Sequence, residues 1–258
     1  MTEVGRAAFP YRRIADDLRS EILSARRAPG EKLPSEHELA AEYRTSRPTV
    51  RRAIAVLKAE GLVVSEQGKG AFVRPTPHMR LLVSGSNYRR HRRAGLAGFN
   101  AQALEQGQSP KQEILNVATE AAPPEVSIRL NIDEGAPVVV RHRLFRLDGE
   151  PVAVCDSYYP AAWAEGTAIA ESENIDGGVH ALIEDPTGPI RRVVSRSIDD
   201  LVARMPTRAE ADGLGLPPGM PVVRIIRTIY DTSDEPLEVQ DTVAAADRHT
   251  FRYEVAMR

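Results

Sequence analysis

The sequence predicts an α+β chain in two modules: three helices closed by a β-hairpin, then a larger antiparallel sheet with helices packed on it. Three observations carry this. Residues 10–60 space their apolar side chains three to four apart, with capping residues ahead of the runs, as short amphipathic helices do. Residues 62–73 form two short β-type runs around Gly68-Lys69-Gly70, a hairpin signal. Further on, Gly-x-Pro-Val-Val followed by two long β-rich runs occurs twice, starting at Gly135 and at Gly219. A chain of 258 residues is long enough to give each module its own core.

The elements follow in order. Ile14, Leu18 and Ile22 recur every four residues and define a first helix that ends before Pro29-Gly30. In LPSEHELAAEYR, Ser35 can cap a second helix, and Glu38 can reach back to it as a capping box. Leu39 then points inward. Ser46 can cap a third helix, SRPTVRRAIAVLKAEG, whose Pro48 is tolerated in the first turn and whose Gly61 ends it. Val50, Ile54 and Leu57 share the core face, which leaves Arg47, Thr49, Arg51 and Arg52 on the other side. LVVSEQGKGAFV supplies the two strands of a wing, with Lys69 at its tip.

Residues 75–94 begin with two prolines, carry the basic run Arg89 to Arg93 and read as a connector. The modules are therefore expected at 1–74 and 95–258. In the second, the hairpins turn at Asp148-Gly149 and at Thr232-Ser233-Asp234, and each is preceded by a short helical segment. A pocket is expected where equivalent strands face each other.

Composition narrows the function. Residues 1–93 hold 19 Lys and Arg against 10 Asp and Glu, while the remainder holds 15 against 26. A basic module joined to an acidic one points to a polyanion partner for the first alone. No apolar run reaches the roughly 20 residues of a membrane helix, and no signal peptide is legible, so a cytoplasmic location and no membrane partner are expected. The single cysteine, Cys155, cannot form an internal disulfide, and the six histidines are not spaced as metal ligands, so neither a metal nor a cofactor is expected.

Three helices, the third basic at its N-terminal end, followed by a hairpin make a winged helix-turn-helix, whose recognition helix enters the major groove. There an arginine can bridge guanine O6 and N7, and a helix N-terminus can take phosphate. LPSEHELAAEYRTSRPTVRRAIAVLKAEGLVVSEQGKGAFV resembles the DNA-binding domain of GntR-family regulators. The residues expected at the DNA are Ser35, His37, Arg47, Thr49, Arg51, Arg52, Gln67, Gly68, Lys69 and Gly70. Two positions depart from the family pattern: His37, more often arginine, and Pro48, more often polar.

The second module resembles the UTRA effector domain of the HutC subfamily, of chorismate-lyase-like fold, through RLFRLDGEPVAVCDSYYP, RMPTRAEADGLGLPPGMPV and DRHTFRYEV. In sugar-phosphate-sensing members the resemblance implies a ligand loop, two strand arginines, two glutamates and a tyrosine. Here the loop falls on Gly98, Phe99 and Asn100, the first arginine on Arg143 and the C-terminal glutamate on Glu238. The other three positions hold Phe145, Cys155 and Ala244, which exchanges a charged network for an apolar surface. Arg143 could instead be paired with an acidic neighbour, Phe145 and Cys155 could be core, and Glu238 a solvated strand residue.

The resemblance implies a homodimeric, ligand-controlled repressor that binds palindromic double-stranded DNA and responds to a small molecule. Two alternatives stay open: an enzyme carrying a DNA-binding appendage, and a regulator whose second module only dimerises. No Gly-x-Ser-x-Gly, His-Glu-x-x-His or Walker loop supports an enzyme, and no catalytic residue is expected.

Overall fold

The structure is a computed structural model that describes residues 10–66, 68–75, 81–83 and 98–252. It divides into two compact units, residues 1–78 with 216–220, and residues 79–215 with 221–258.

In the first unit, α1 (Pro10–Leu23), α2 (Glu36–Glu42) and α3 (Arg47–Ala59) are followed by β1 (Val63–Glu66) and β2 (Gly70–Val73), an antiparallel pair. Ile14, Leu18, Leu39, Val50, Ala53, Ile54 and Leu57 form the core, with Val63 and Val73 sealing it from the hairpin. Full burial of a leucine stabilises by about 1.5–3 kcal/mol, so this short α1–α2–α3 cluster is what holds the small unit together. The expected Ile22 is only partly buried against the same cluster. Ser35 accepts from the Glu38 amide while the Glu38 carboxylate accepts from the Ser35 amide, at 3.2 and 2.7 Å. Ser46 caps α3 by accepting from the Thr49 amide. Gly61 follows the C-cap Glu60 at φ +71°, a left-handed conformation that glycine adopts at no steric cost, and so the helix stops there.

The second unit is built on one six-stranded antiparallel sheet. Its strands are β4 (Pro110–Ala121), β5 (Pro137–Leu147), β6 (Glu150–Pro160), β7 (Val194–Arg204), β8 (Val222–Asp231) and β9 (Pro236–Ala245), in the order β4-β5-β6-β9-β8-β7. A separate short parallel pair joins β3 (Leu81–Val83) to β10 (Thr250–Arg252). The helices are α4 (Gly98–Glu105), α5 (Pro124–Leu130), α6 (Ala161–Ala164), α7 (Val179–Glu184) and α8 (Arg208–Gly213).

The repeated sequence pattern becomes two hairpins, β5–β6 and β8–β9. The first turns on Asp148 and Gly149, both at positive φ (51° and 86°), the conformation of a type I′ turn whose twist matches the flanking strands. In the second, the Asp231 carboxylate accepts from the Ser233 and Glu235 amides and stitches the turn together. The two return strands, β6 and β9, pair edge to edge. Equivalent strands therefore do not face one another across a gap. The return strands lie side by side at the centre of the sheet with β5 and β8 on their outer sides, and any site built by the repeat lies on a face of the sheet.

Registration sets what each face carries, because residues directly opposite in antiparallel strands point to the same side. One face stacks Val138, Val140, Tyr158, Val239 and Ile226 against Val126 and Leu130 of α5. The other carries two apolar clusters. Val139, Tyr159 and Leu237 lie under α6, Ile169 and Ile183. Phe145, Cys155, Ile225 and Ala244 lie under Ala103 of α4, with Phe99 against them. Arg141, buried in the strand, donates to the carbonyls of Ile169, Glu171 and Glu173 and so fixes the segment after α6 to the sheet.

Candidate functional site

Two groups of residues stand out, one in each unit. In the first unit, Arg47, Arg51 and Arg52 are exposed on α3, whose Val50, Ile54 and Leu57 are buried. The Ser46 hydroxyl lies 2.9 Å from that of Thr49. His37 is exposed on α2 beside the cap residue Ser35. The wing presents Gly68, Lys69 and Gly70 at the surface, and Lys69 lies 2.9 Å from Glu66. Gln67 falls outside the described residues, as does the basic run Arg89 to Arg93.

The arginines are not loose. Arg51 donates through Nε and Nη2 to the two carboxylate oxygens of Glu36, at 3.0 and 2.8 Å. Arg47 Nη2 lies 3.9 Å from the same carboxylate. The guanidinium of Arg52 sits 4.1 Å over the Tyr11 ring, a cation–π contact that ties it to α1. Glu36 and Tyr11 were missed by the sequence reading. Glu36 is 15 residues from Arg51, and only the crossing of α2 and α3 brings them together.

In the second unit, the structure gathers most of the expected effector residues on one sheet face. Phe99 of α4 packs on Phe145 with ring centroids 4.6 Å apart. Arg143 is registered opposite Cys155, and Ala153 opposite Ala244. Arg143 is 8% exposed. It donates to the Ser157 hydroxyl and to Cys155 Sγ, and its guanidinium lies 5.5 Å over the Phe145 ring. Among the described residues, its Nε and the Asn100 Oδ1 are buried without a hydrogen-bond partner. Its side-chain hydrogen bonds go to a hydroxyl and a thiol, and the buried Glu238 carboxylate acts on it through charge without a direct hydrogen bond, so its donors are compatible with an incoming anion.

Glu238 is part of a different arrangement on the same face. It is fully buried and already satisfied: Tyr159 and Gln240 donate to Oε1 at 2.5 and 2.9 Å, and His180 Nε2 lies 2.7 Å from Oε2. Burial raises its pKa, but the His180 hydrogen bond and charge, Arg143 and Tyr159 outweigh this and hold it at about 2. The carboxylate therefore anchors α7 to β9. Gly98 opens α4, and the loop it was expected to belong to is helical from that residue on.

Ser157, Tyr159 and His180 were also missed. Ser157 was within reach of the sequence, two residues beyond Cys155 on the same face of a strand. His180 was not, since nothing local couples a helix residue to a strand 58 positions later.

A capped three-helix unit with a wing, followed by an antiparallel sheet domain with buried polar groups on one face, defines the class of two-domain transcriptional regulators. The chain belongs to the GntR family of bacterial regulatory proteins: the family pattern matches residues 10–73, and that of the UTRA domain matches residues 105–250. It is 28% identical over 251 residues to the Escherichia coli (strain K12) protein named "Probable fructoselysine utilization operon transcriptional repressor", covering 93% of this chain and 90% of the relative. It is 30% identical over 247 residues to "Probable transcriptional regulator PhnF" of the same strain, covering 95% and 94%. The crystal structure of a GntR-family transcriptional regulator matches at 28% identity and TM-score 0.69, covering 96% of this chain and 98% of that one.

Proposed function

We propose that this protein is a ligand-controlled repressor of the HutC type, acting as a homodimer in the cytoplasm on palindromic double-stranded DNA. The reader is residues 1–74, the connector 75–94 and the effector-binding and dimerising part 95–258. The observation that carries the DNA reading is the exposed N-terminal end of α3, where Arg47, Thr49 and Arg51 surround a capped helix start, with the wing residues Gly68, Lys69 and Gly70 and the α2 residues Ser35 and His37 completing the surface. The repressor role is supported by the name of the Escherichia coli relative. No catalytic role is assigned to any residue.

The effector is a mainly apolar or aromatic molecule with at most one anionic group. In this reading the apolar cluster of Phe99, Phe145, Cys155 and Ala244, closed as core in this structure, opens to the ligand, while Arg143 meets the anion and Asn100 offers an acceptor. A sugar phosphate would meet Arg143 without a second strand arginine to share its charge, since Arg141 is taken up by backbone carbonyls and Arg227 by Asp199, and Phe145 and Cys155 stand where a second arginine and a glutamate would be needed. Calorimetry with aryl monocarboxylates and with glucosamine 6-phosphate tests this. Binding of the former, with release of operator DNA, is the expected result; tight binding of the phosphate alone would overturn it.

A further inference from the structure

We propose that Glu36 is a positioning residue of the DNA interface: it holds Arg51, and secondarily Arg47, in the orientation that reads a base edge, and it opposes their capture by phosphate. The inference rests on the reading that α3 enters the major groove.

The argument starts from the donor geometry of arginine. A guanidinium carries five N–H groups in one plane. Glu36 occupies the side edge of Arg51, one hydrogen on Nε and one on Nη2, as a bidentate pair at 3.0 and 2.8 Å. Both hydrogens of Nη1 and one of Nη2 are left; one from each nitrogen forms the end edge of the fork, which matches the O6 and N7 acceptors of guanine. The pair therefore directs Arg51 without consuming the edge needed for recognition. It also removes rotamer freedom that a long exposed side chain would otherwise lose at the moment of binding.

Charge gives the second half. Glu36 lies within 4.0 Å of both arginines, with Arg47 Nη2 at 3.9 Å from the oxygen that Arg51 Nη2 also uses. One carboxylate thus partly neutralises two cations at the helix end that faces DNA. Phosphate contacts are sequence-independent, so unmasking these cations raises affinity for every duplex, whereas losing the fork orientation lowers affinity for the right base alone. Glu36 is placed to do this because it is the first residue of α2, which crosses beside α3, and because the capping box uses Ser35 and Glu38 and leaves Glu36 free of that duty.

The test uses the full chain and a duplex selected by the wild-type protein from a randomised pool, with a scrambled duplex as the non-specific probe. Binding is measured by fluorescence anisotropy across a salt series. Glu36→Gln is expected to reduce the ratio of selected to scrambled affinity about tenfold, to tighten scrambled binding and to steepen the salt slope by about one. Glu36→Asp keeps the charge but withdraws it by one methylene, so it should lose selectivity while scrambled binding stays low. In an Arg51→Ala background, Glu36→Gln should lose most of its effect on selectivity, keeping only the smaller part carried by Arg47. Equal losses in both backgrounds, or unchanged selectivity in Glu36→Gln, would overturn the proposal while the DNA-binding reading stands. Unchanged selected-duplex affinity in Arg51→Ala would remove the base-reading role of Arg51 and the proposal with it.

Discussion

Arg47, Arg143 and Glu238 show how differently single charged groups behave in this chain. Arg47 is exposed, with a side chain 63% accessible, and its nearest carboxylate at 3.9 Å contributes little on its own. Its worth lies in what it meets. Arg47→Ala is expected to cost about 1–3 kcal/mol of operator binding per half-site if it reads a guanine edge, measured by anisotropy against single-base variants of the site. Equal affinity for all variants before and after the change would exclude that role. Lys69→Ala, at the wing tip, should instead weaken every sequence alike and flatten the salt dependence.

Glu238 titrates in the opposite setting, fully buried and bonded on both oxygens. Its carboxylate is held at about 2 against an ordinary value of 4.5. A folded-state pKa below the unfolded one means stability that is complete above about pH 4.5 and lost as pH falls toward 2. The contribution is on the order of 3 kcal/mol. Denaturant unfolding followed between pH 6 and pH 3 should show the loss, and Glu238→Gln should show a smaller drop across the same window. A wild-type profile flat to pH 3 would contradict the assignment.

Among the elements, the helices of the first unit are the most locally specified. The Ser35 and Glu38 reciprocal cap, the Ser46 cap and the Gly61 stop were all legible, because each is a contact between residues no more than a few positions apart. Ser35→Ala is expected to destabilise the unit by about 1 kcal/mol, read from the shift in its thermal transition. An unchanged transition would mean that tertiary burial of Leu39 alone fixes α2. The strands of the second unit were legible as a repeated pattern, and their turns as Asp-Gly and Thr-Ser-Asp. Their lateral order was not. Nothing in either hairpin says that β6 will pair with β9, so the equivalent return strands, expected to face each other at a pocket, are hydrogen-bonded neighbours in one sheet.

For the whole molecule, the two modules carry opposite charge, and the basic one is where DNA is expected to bind. One small reader buries too little surface to be specific, so two copies acting on a two-fold site are expected to be needed. Footprinting should therefore protect two half-sites related by symmetry, each containing a G·C pair. A single protected half-site would contradict this.

The sequence by itself determined the class of fold, the caps of the second and third helices, most of the core of the first unit, the hairpins and their turns, and the family. All of these rest on local periodicity, capping and turn chemistry, which act over a few residues. Only the tertiary structure decided which charged groups meet. It placed Glu36 on Arg51, Tyr11 under Arg52, and Ser157 rather than a carboxylate on Arg143, and it sealed Glu238 between Tyr159 and His180. The physical reason is that a side chain's charge environment depends on elements brought together across tens of residues, and the pattern within any one element carries no record of its neighbour.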